Sequence, residues 1–106
     1  MKIYNKLVRD KIPYIIEDDN RKAVTRILNS KDYKKELNKK LQEEVNEYFR
    51  DDNVEELADI VEVIYGILDE KQVSIAEFES IRKKKVEKRG AFKNKIFLEK
   101  VLENEE

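Results

Sequence analysis

Two pairs of acidic residues in the middle of the chain have the spacing expected of a metal site. Glu44 and Glu47 lie three residues apart, and so do Glu56 and Asp59 a little further along. On a helix, residues i and i+3 lie on the same side, so each pair can direct two carboxylates toward one point. Four carboxylates around one point repel one another and resist ionisation unless a cation lies among them. The spacing therefore predicts a site for a hard divalent metal ion.

The composition limits which metal such a site could hold. The 106 residues include no histidine and no cysteine, which removes the commonest general base and the commonest zinc ligands. All ligands must then be oxygens, a donor set that favours Mg²⁺ or Mn²⁺, with Ca²⁺ a poorer fit. The absence of cysteine also excludes a disulfide framework.

Length and charge set the broad class of the protein. A chain of 106 residues is expected to form a single domain, residues 1–106, whose core is small enough to gain from burial in an oligomer. Charged residues make up 44% and there are only two glycines and one proline, a helix-favouring composition. Without a long apolar run or a signal-peptide pattern, the sequence predicts a soluble cytoplasmic protein that does not enter membranes.

The first acidic pair is expected on a helix from Lys31 to about Phe49, with Ser30 as its N-cap. At about 100° per residue, Glu44 falls inside the apolar stripe of this helix, Glu47 at its edge and Glu43 on the far side. The stripe consists of Tyr33, Leu37, Leu41, Val45, Tyr48 and Phe49. A carboxylate among core residues costs free energy unless it is paired or coordinated. Glu44 is therefore the most informative single residue of the sequence.

The second acidic pair is expected early on the next helix, from Val54 to about Glu70, after a polar turn at 50–53. Asn53 and Glu56 match a capping box, which is a purely structural interpretation of Glu56. In an antiparallel hairpin the two acidic pairs would lie near the same end. The second helix is apolar over more than half its circumference, and a small monomer has few elements to cover it. The pattern predicts that it also packs against a partner subunit.

The residue pattern near the N-terminus predicts a short helix with Asp10 as N-cap and Pro13 in its first turn. Residues Ala23 to Leu28 are rich in β-branched side chains, which predicts a short strand or an extended segment.

The C-terminal region predicts a third long helix that begins after Ser74 and runs to about Arg89. Gly90 is its expected end. The tail, residues 92–102, keeps six apolar residues, and its pattern leaves strand and helix both open.

The acidic motif resembles that of a known family. It reads EEVNE at 43–47 and, after a turn, ELAD at 56–59, and is similar to the motif of MazG-like nucleoside triphosphate pyrophosphohydrolases and the related phosphoribosyl-ATP pyrophosphohydrolases. The opening YNKLVRDKIPYII and the closing EKRGAFKNKIFL resemble one small MazG-like subgroup, so the resemblance covers nearly the whole chain. It implies an all-α helical bundle with minor short extended segments. Its four-helix core would be completed by oligomerisation, as a homodimer or a dimer of dimers.

The resemblance also implies a reaction. MazG-like enzymes use Mg²⁺ to hydrolyse a nucleotide between the α and β phosphates and release pyrophosphate. On the family pattern Glu44, Glu47, Glu56 and Asp59 would be the metal ligands, and Glu43 would act beside Glu44 in catalysis by positioning water. No motif selects a base; housecleaning of non-standard nucleotides is favoured by family analogy alone.

Five basic residues are candidates to hold phosphate oxygens of the nucleotide: Lys6, Arg9, Lys11, Lys85 and Arg89. Each also has a structural interpretation. Arg9 could form an ion pair with its neighbour Asp10, and the basic run at 82–89 could be a solvated helix end that complements the helix dipole.

Two other functions compete with the enzyme. The chain could be a non-catalytic helical oligomerisation module whose acids pair with the basic helix; divalent metal would then leave stability unchanged, and Glu44→Gln would be neutral or stabilising. It could also bind nucleic acid through the basic stretch at 82–95. A net charge of −1 and the nearby acids argue against that last function, so no nucleic-acid partner is expected.

Overall fold

The protein is all-helical over the part of the chain described by the structure, a computed structural model covering residues 1–103. Its helices are α1 (Ile12–Asp18), α2 (Ser30–Asp51), α3 (Val54–Glu70) and α4 (Ile75–Arg89). No strand occurs within residues 1–103, so the all-α prediction is confirmed. Residues 23–28 form no strand, since no backbone hydrogen bond joins them to another described segment. Residues 95–98 of the tail are neither strand nor helix.

Helices α2 and α3 form an antiparallel hairpin with a two-residue loop. Helix α2 continues to Asp51, and Asp52 then adopts the left-handed conformation (φ 48°, ψ 50°) while its N–H donates to the carbonyl of Tyr48. Asn53 follows as the N-cap of α3. The predicted turn at 50–53 thus begins two residues too early, because the left-handed Asp52 is what ends the helix. The predicted bounds of α3 are confirmed.

The start of α2 differs from the prediction by one residue. Asn29, not Ser30, is the N-cap, and its side-chain oxygen accepts a hydrogen bond from the N–H of Asp32 at 2.8 Å. Both residue types cap helices well, and which of two adjacent candidates does so depends on the direction from which the chain enters.

The start of α1 is also shifted. The prediction of Asp10 as N-cap is wrong: Lys11 occupies that position and makes no side-chain capping bond. The backbone supplies the missing acceptor, since the N–H of Ile12 donates to the carbonyl of Arg9 at 3.0 Å. Pro13 lies in the first turn, as expected.

One end of the hairpin, far from its loop, holds the tightest apolar packing. Leu37 of α2 and Leu68 of α3 are buried there. A Cβ atom added at Gly66 would lie 3.1 Å from Leu37 Cδ2 and 3.6 Å from the Tyr33 hydroxyl oxygen. The lack of a side chain at Gly66 therefore lets the two helices approach closely. We call Tyr33, Leu37, Gly66 and Leu68 the apolar end.

Much of the remaining apolar surface of the hairpin is uncovered within residues 1–103. Val54, Leu57 and Val61 of α3 are exposed. Phe49, which was expected in the buried stripe of α2, is exposed as well, because α3 is the only helix of the first unit packed against α2. The expected packing of α3 against a second subunit stays a prediction.

The chain divides into two compact units, with the boundary between Ile75 and Ala76. The second unit contains nearly all of α4 and the tail. Helix α4 ends as predicted: Gly90 has φ 84°, and its N–H donates to the carbonyl of Val86 at 2.7 Å. No described helix is long and apolar enough to cross a membrane.

Candidate metal site

The structure brings the predicted acids together at the loop end of the hairpin. They form two overlapping groups, in each of which one carboxylate oxygen per residue lies within 4.8 Å of the others. Glu43, Glu44 and Glu47 all belong to α2, and we call them the helix group. Glu44, Glu56 and Asp59 connect α2 with α3, and we call them the bridging group. Glu44 belongs to both groups and is therefore central to any ion bound here.

Local structure explains why the acids of α3 meet those of α2. The side-chain oxygen of Asn53 accepts a hydrogen bond from the N–H of Glu56 at 3.0 Å, which fixes the first turn of α3. Because the loop is only two residues long, that first turn lies beside the last turns of α2. Glu56 and, one turn later, Asp59 are thereby placed opposite Glu44.

Glu44 is the one buried charged residue among residues 1–103, with 7% of its surface exposed. Its Oε1 lies 3.4 Å from the ammonium of Lys40, but its Oε2 is buried without a hydrogen-bond partner. Burial raises the pKa of Glu44, and the adjacent Glu47 carboxyl raises it further, while Lys40 only partly opposes this. Burial and Glu47 thus disfavour the ionised form of Glu44, and a further cation near Oε2 would favour it.

Glu56 repeats this feature on the facing helix. Its Oε2 is also buried without a hydrogen-bond partner. Burial raises the pKa of Glu56, and the nearby carboxylates of Glu47, Asp51, Asp59 and Glu44 add to the effect. The bridging group therefore contains two buried, unpartnered acceptor oxygens, one from each helix, which suits an oxygen-binding cation.

Glu43 is in the opposite situation, since cations already occupy both of its oxygens. Lys6 donates to Oε1 at 3.1 Å and Lys40 to Oε2 at 3.4 Å. Burial raises the pKa of Glu43, but these two lysines outweigh burial and hold it below its usual value. Glu43 was expected on the side of α2 opposite the apolar stripe; it is half-buried, and Lys6 reaches it from the N-terminal segment.

Arg9 reaches the other side of the site. Its guanidinium lies 2.7 Å from Asp59 Oδ1, so the alternative pairing with Asp10 is wrong and the partner lies fifty positions away. Of the remaining basic candidates, Lys11 is exposed at the start of α1, and Lys85 and Arg89 are exposed on α4 in the second unit.

Lys40 is the site residue that the sequence reasoning missed. Its ammonium contacts both Glu43 and Glu44, and its side chain is only 17% exposed, against 41% for Lys6. The signal was available in the sequence: positions i+3 and i+4 from Lys40 are the two acids, a spacing that forms ion pairs on a helix.

Comparisons with protein-family models, with curated proteins and with solved structures give no match to this chain. The MazG-like resemblance therefore stays a prediction based on its motifs. What the site itself offers is a set of oxygen donors on two helices, two of them unpartnered, beside three cations that could contact an anionic ligand.

Proposed function

We propose that this chain is a Mg²⁺-dependent nucleoside triphosphate pyrophosphohydrolase that hydrolyses the link between the α and β phosphates. Its products would be pyrophosphate and a nucleoside monophosphate, and its role would be housecleaning of non-standard nucleotides. The observation that carries the proposal is the pair of buried, unpartnered oxygens, Glu44 Oε2 and Glu56 Oε2, on facing helices. Leaving two buried carboxylate oxygens unpartnered is costly, and a bound cation removes that cost.

In this proposal Glu44, Glu47, Glu56 and Asp59 hold the Mg²⁺, which Mn²⁺ could replace. A bound ion of this kind neutralises phosphate charge and makes water a better nucleophile. Since the chain has no histidine, removal of the proton from the attacking water falls to a carboxylate or to metal-bound water. Glu43 borders the metal ligands and would position that water.

Lys6 and Arg9 are the best supported of the phosphate-binding candidates. Both are substantially exposed, and each contacts an acid of the site through a single ion pair. Exposed pairs of this type contribute little stability, about 0–1 kcal/mol, so either cation can exchange its carboxylate for a phosphate oxygen. Lys11 has no contact with these acids within the first unit, and Lys85 and Arg89 belong to the second unit, so these three are weaker candidates.

We further propose that the chain assembles as a homodimer or a dimer of dimers with a MazG-like four-helix core. Support comes from the uncovered apolar side chains of α3, Val54, Leu57 and Val61, which a second hairpin could bury. The same surface favours the second candidate function, a non-catalytic helical oligomerisation module. Light scattering coupled to gel filtration tests the assembly in either case, and a mass of one chain would contradict it.

The decisive experiment measures pyrophosphate release from a panel of canonical and modified nucleoside triphosphates with Mg²⁺ or Mn²⁺. Wild type is compared with Glu44→Gln, which keeps the shape of the side chain and removes its charge. Loss of a group that merely supports a metal ligand costs about 10–100-fold, so loss of a ligand should cost at least about 100-fold. Glu62→Gln, the same change at an exposed acid of α3, is the matched control and should keep wild-type activity.

Two negative results have different meanings. No release from any nucleotide, together with no metal-induced rise in melting temperature, would contradict the enzyme and favour the helical module. Metal-induced stabilisation without turnover would contradict only the proposed substrates and would retain the metal site.

A further inference from the structure

We propose that Lys40 is a built-in cation that limits the site to one divalent ion in the absence of nucleotide. The ion would bind the bridging group with Glu47 as a further ligand, while Lys40 holds Glu43 and Glu44 Oε1 and keeps a second ion from binding the helix group. This inference rests on the metal binding that the proposed function requires, and it adds the number and location of the ions.

The two groups of acids differ in how far cations already occupy their oxygens. In the helix group, Lys6 and Lys40 contact both oxygens of Glu43, and Lys40 also contacts Glu44 Oε1. In the bridging group, Glu44 Oε2 and Glu56 Oε2 are buried and unpartnered, and more than nine-tenths of the Glu44 side chain is buried. The buried acceptors that lack a hydrogen-bond partner therefore lie between the two helices, where an incoming divalent ion can reach both.

Lys40 differs from the other two cations in how hard it is to displace. It lies on α2 itself, one turn before the acids that it contacts, and its side chain is mostly buried. A mostly buried ammonium that loses its acid partners is left as an uncompensated charge, which strongly destabilises the fold. Lys6 and Arg9 instead belong to the N-terminal segment that precedes α1, and both are substantially exposed. An ion or a phosphate can displace these two into water, but it cannot displace Lys40 in the same way.

The charge balance gives the same number of ions. The five carboxylates of the two groups face three cations: Lys6, Arg9 and Lys40. Two negative charges remain when every carboxylate is ionised, and one divalent ion neutralises them. A second ion would leave an excess of positive charge until an anionic substrate arrived.

The test counts Mn²⁺ ions per chain by equilibrium dialysis and records their electron paramagnetic resonance spectrum without nucleotide. Wild type should bind one ion with an uncoupled spectrum. Lys40→Gln should bind two ions that share Glu44, and ions about 3.5–4 Å apart, as in two-metal sites, give a spin-coupled spectrum. Lys40→Arg keeps the charge and should again bind one. Lys39→Gln is the matched control, since Lys39 is the exposed neighbour that pairs with Glu36, and it should also bind one.

A second pair of variants tests where the ion binds and does not depend on the folding of Lys40→Gln. Glu43 belongs only to the helix group and Glu56 only to the bridging group. Glu43→Gln should leave the dissociation constant of Mn²⁺ within about threefold of wild type. Glu56→Gln should weaken binding by at least about tenfold, as expected when a site loses a group that helps to hold the metal.

Several results would overturn the inference: two ions in wild type, one ion in folded Lys40→Gln, or equal losses from Glu43→Gln and Glu56→Gln. Binding of no ion would overturn both the inference and the proposed metal-dependent reaction. One bound ion with the expected variant pattern but no pyrophosphate release would leave the role of Lys40 intact and contradict only the reaction.

Discussion

The two ends of the α2–α3 hairpin bury different kinds of side chain between the same two helices. At the apolar end, Leu37 and Leu68 are buried and Gly66 allows close contact. At the loop end, the buried residue is Glu44, and one of its oxygens has no partner. Burial of apolar surface stabilises the fold, whereas burial of an incompletely paired carboxylate destabilises it. The hairpin is therefore held by one end and carries an electrostatic cost at the other, a cost that a divalent cation would remove.

The largest expected effect concerns the apolar end. Leu37→Ala should lower the free energy of unfolding by about 2–5 kcal/mol, because it removes buried methyl groups and leaves a cavity between the helices. Urea denaturation in the presence of a chelator measures this value. The same change at exposed Leu98 should stay within about 0.5 kcal/mol. Equal losses at the two positions would show that Leu37 does not hold the hairpin together.

The next largest expected effect is the change in stability when a metal ion binds at the loop end. Mg²⁺ at one hundred times its dissociation constant should raise the free energy of unfolding by about 2.7 kcal/mol, measured by the same denaturation curves. Leu37→Ala should keep this gain, since the apolar end does not contact the ion, whereas Glu56→Gln should lose about half of it or more at the same Mg²⁺ concentration. If Mg²⁺ failed to stabilise Leu37→Ala but still stabilised Glu56→Gln, the two ends of the hairpin would not act independently as proposed.

A smaller effect is expected from Glu44→Gln without metal. The pKa of Glu44 in the folded protein lies above its usual value of 4.5 because of burial and Glu47. Its protonated form therefore stabilises the fold fully below pH 4.5, and this contribution is lost as the pH rises through the raised pKa. At pH 8 the variant should be more stable than wild type by about 1–3 kcal/mol, the usual cost of an unsatisfied buried group.

This difference should shrink toward zero as the pH falls to 4, and saturating Mg²⁺ should reverse its sign at pH 8. Chemical denaturation across the pH range checks both statements. A difference that does not change with pH would mean that the charge of Glu44 is not what destabilises the metal-free protein.

The smallest expected change in stability concerns the N-cap residues of α2 and α3, one at each end of the hairpin. Asn29 caps α2 beside the apolar end, and Asn53 caps α3 beside the acids. Either substitution by alanine should cost about 1 kcal/mol, measured by thermal or urea denaturation. Only Asn53→Ala should also weaken Mn²⁺ binding, because it loosens the turn that carries Glu56. If Asn29→Ala weakened binding as much, the effect would be global rather than local.

The sequence allowed the prediction of features that depend on residues close together along the chain. The bounds of α3, the end of α4 at Gly90 and the meeting of the acids follow from spacing, capping residues and helical periodicity. The sequence could not decide whether Asn29 or Ser30 caps α2. Both residue types cap helices well, and only the path by which the chain enters the helix determines which of them does so.

Contacts between distant parts of the chain were beyond such reasoning. Lys6 and Arg9 meet their acids across separations of 37 and 50 positions, and no local spacing encodes either pair. The exposure of Phe49 was missed for the related reason that periodicity identifies an apolar face but not whether anything covers it. Lys40 is a different case, because its partners Glu43 and Glu44 lie only three and four positions away. Its spacing predicted these ion pairs, but the prediction considered only the acids.

The two-residue loop at Asp52 and Asn53 also bears on how fast the site assembles. Glu44 and Asp59 lie only fifteen positions apart, and closing a loop of about ten residues takes about 10–100 ns. Contacts over longer separations form later, because their closure costs more entropy. We therefore expect the carboxylates to meet before Lys6 and Arg9 arrive. During that interval Lys6 and Arg9 do not yet neutralise the acids, which repel one another. Mg²⁺ present during refolding should therefore speed the step in which the hairpin closes.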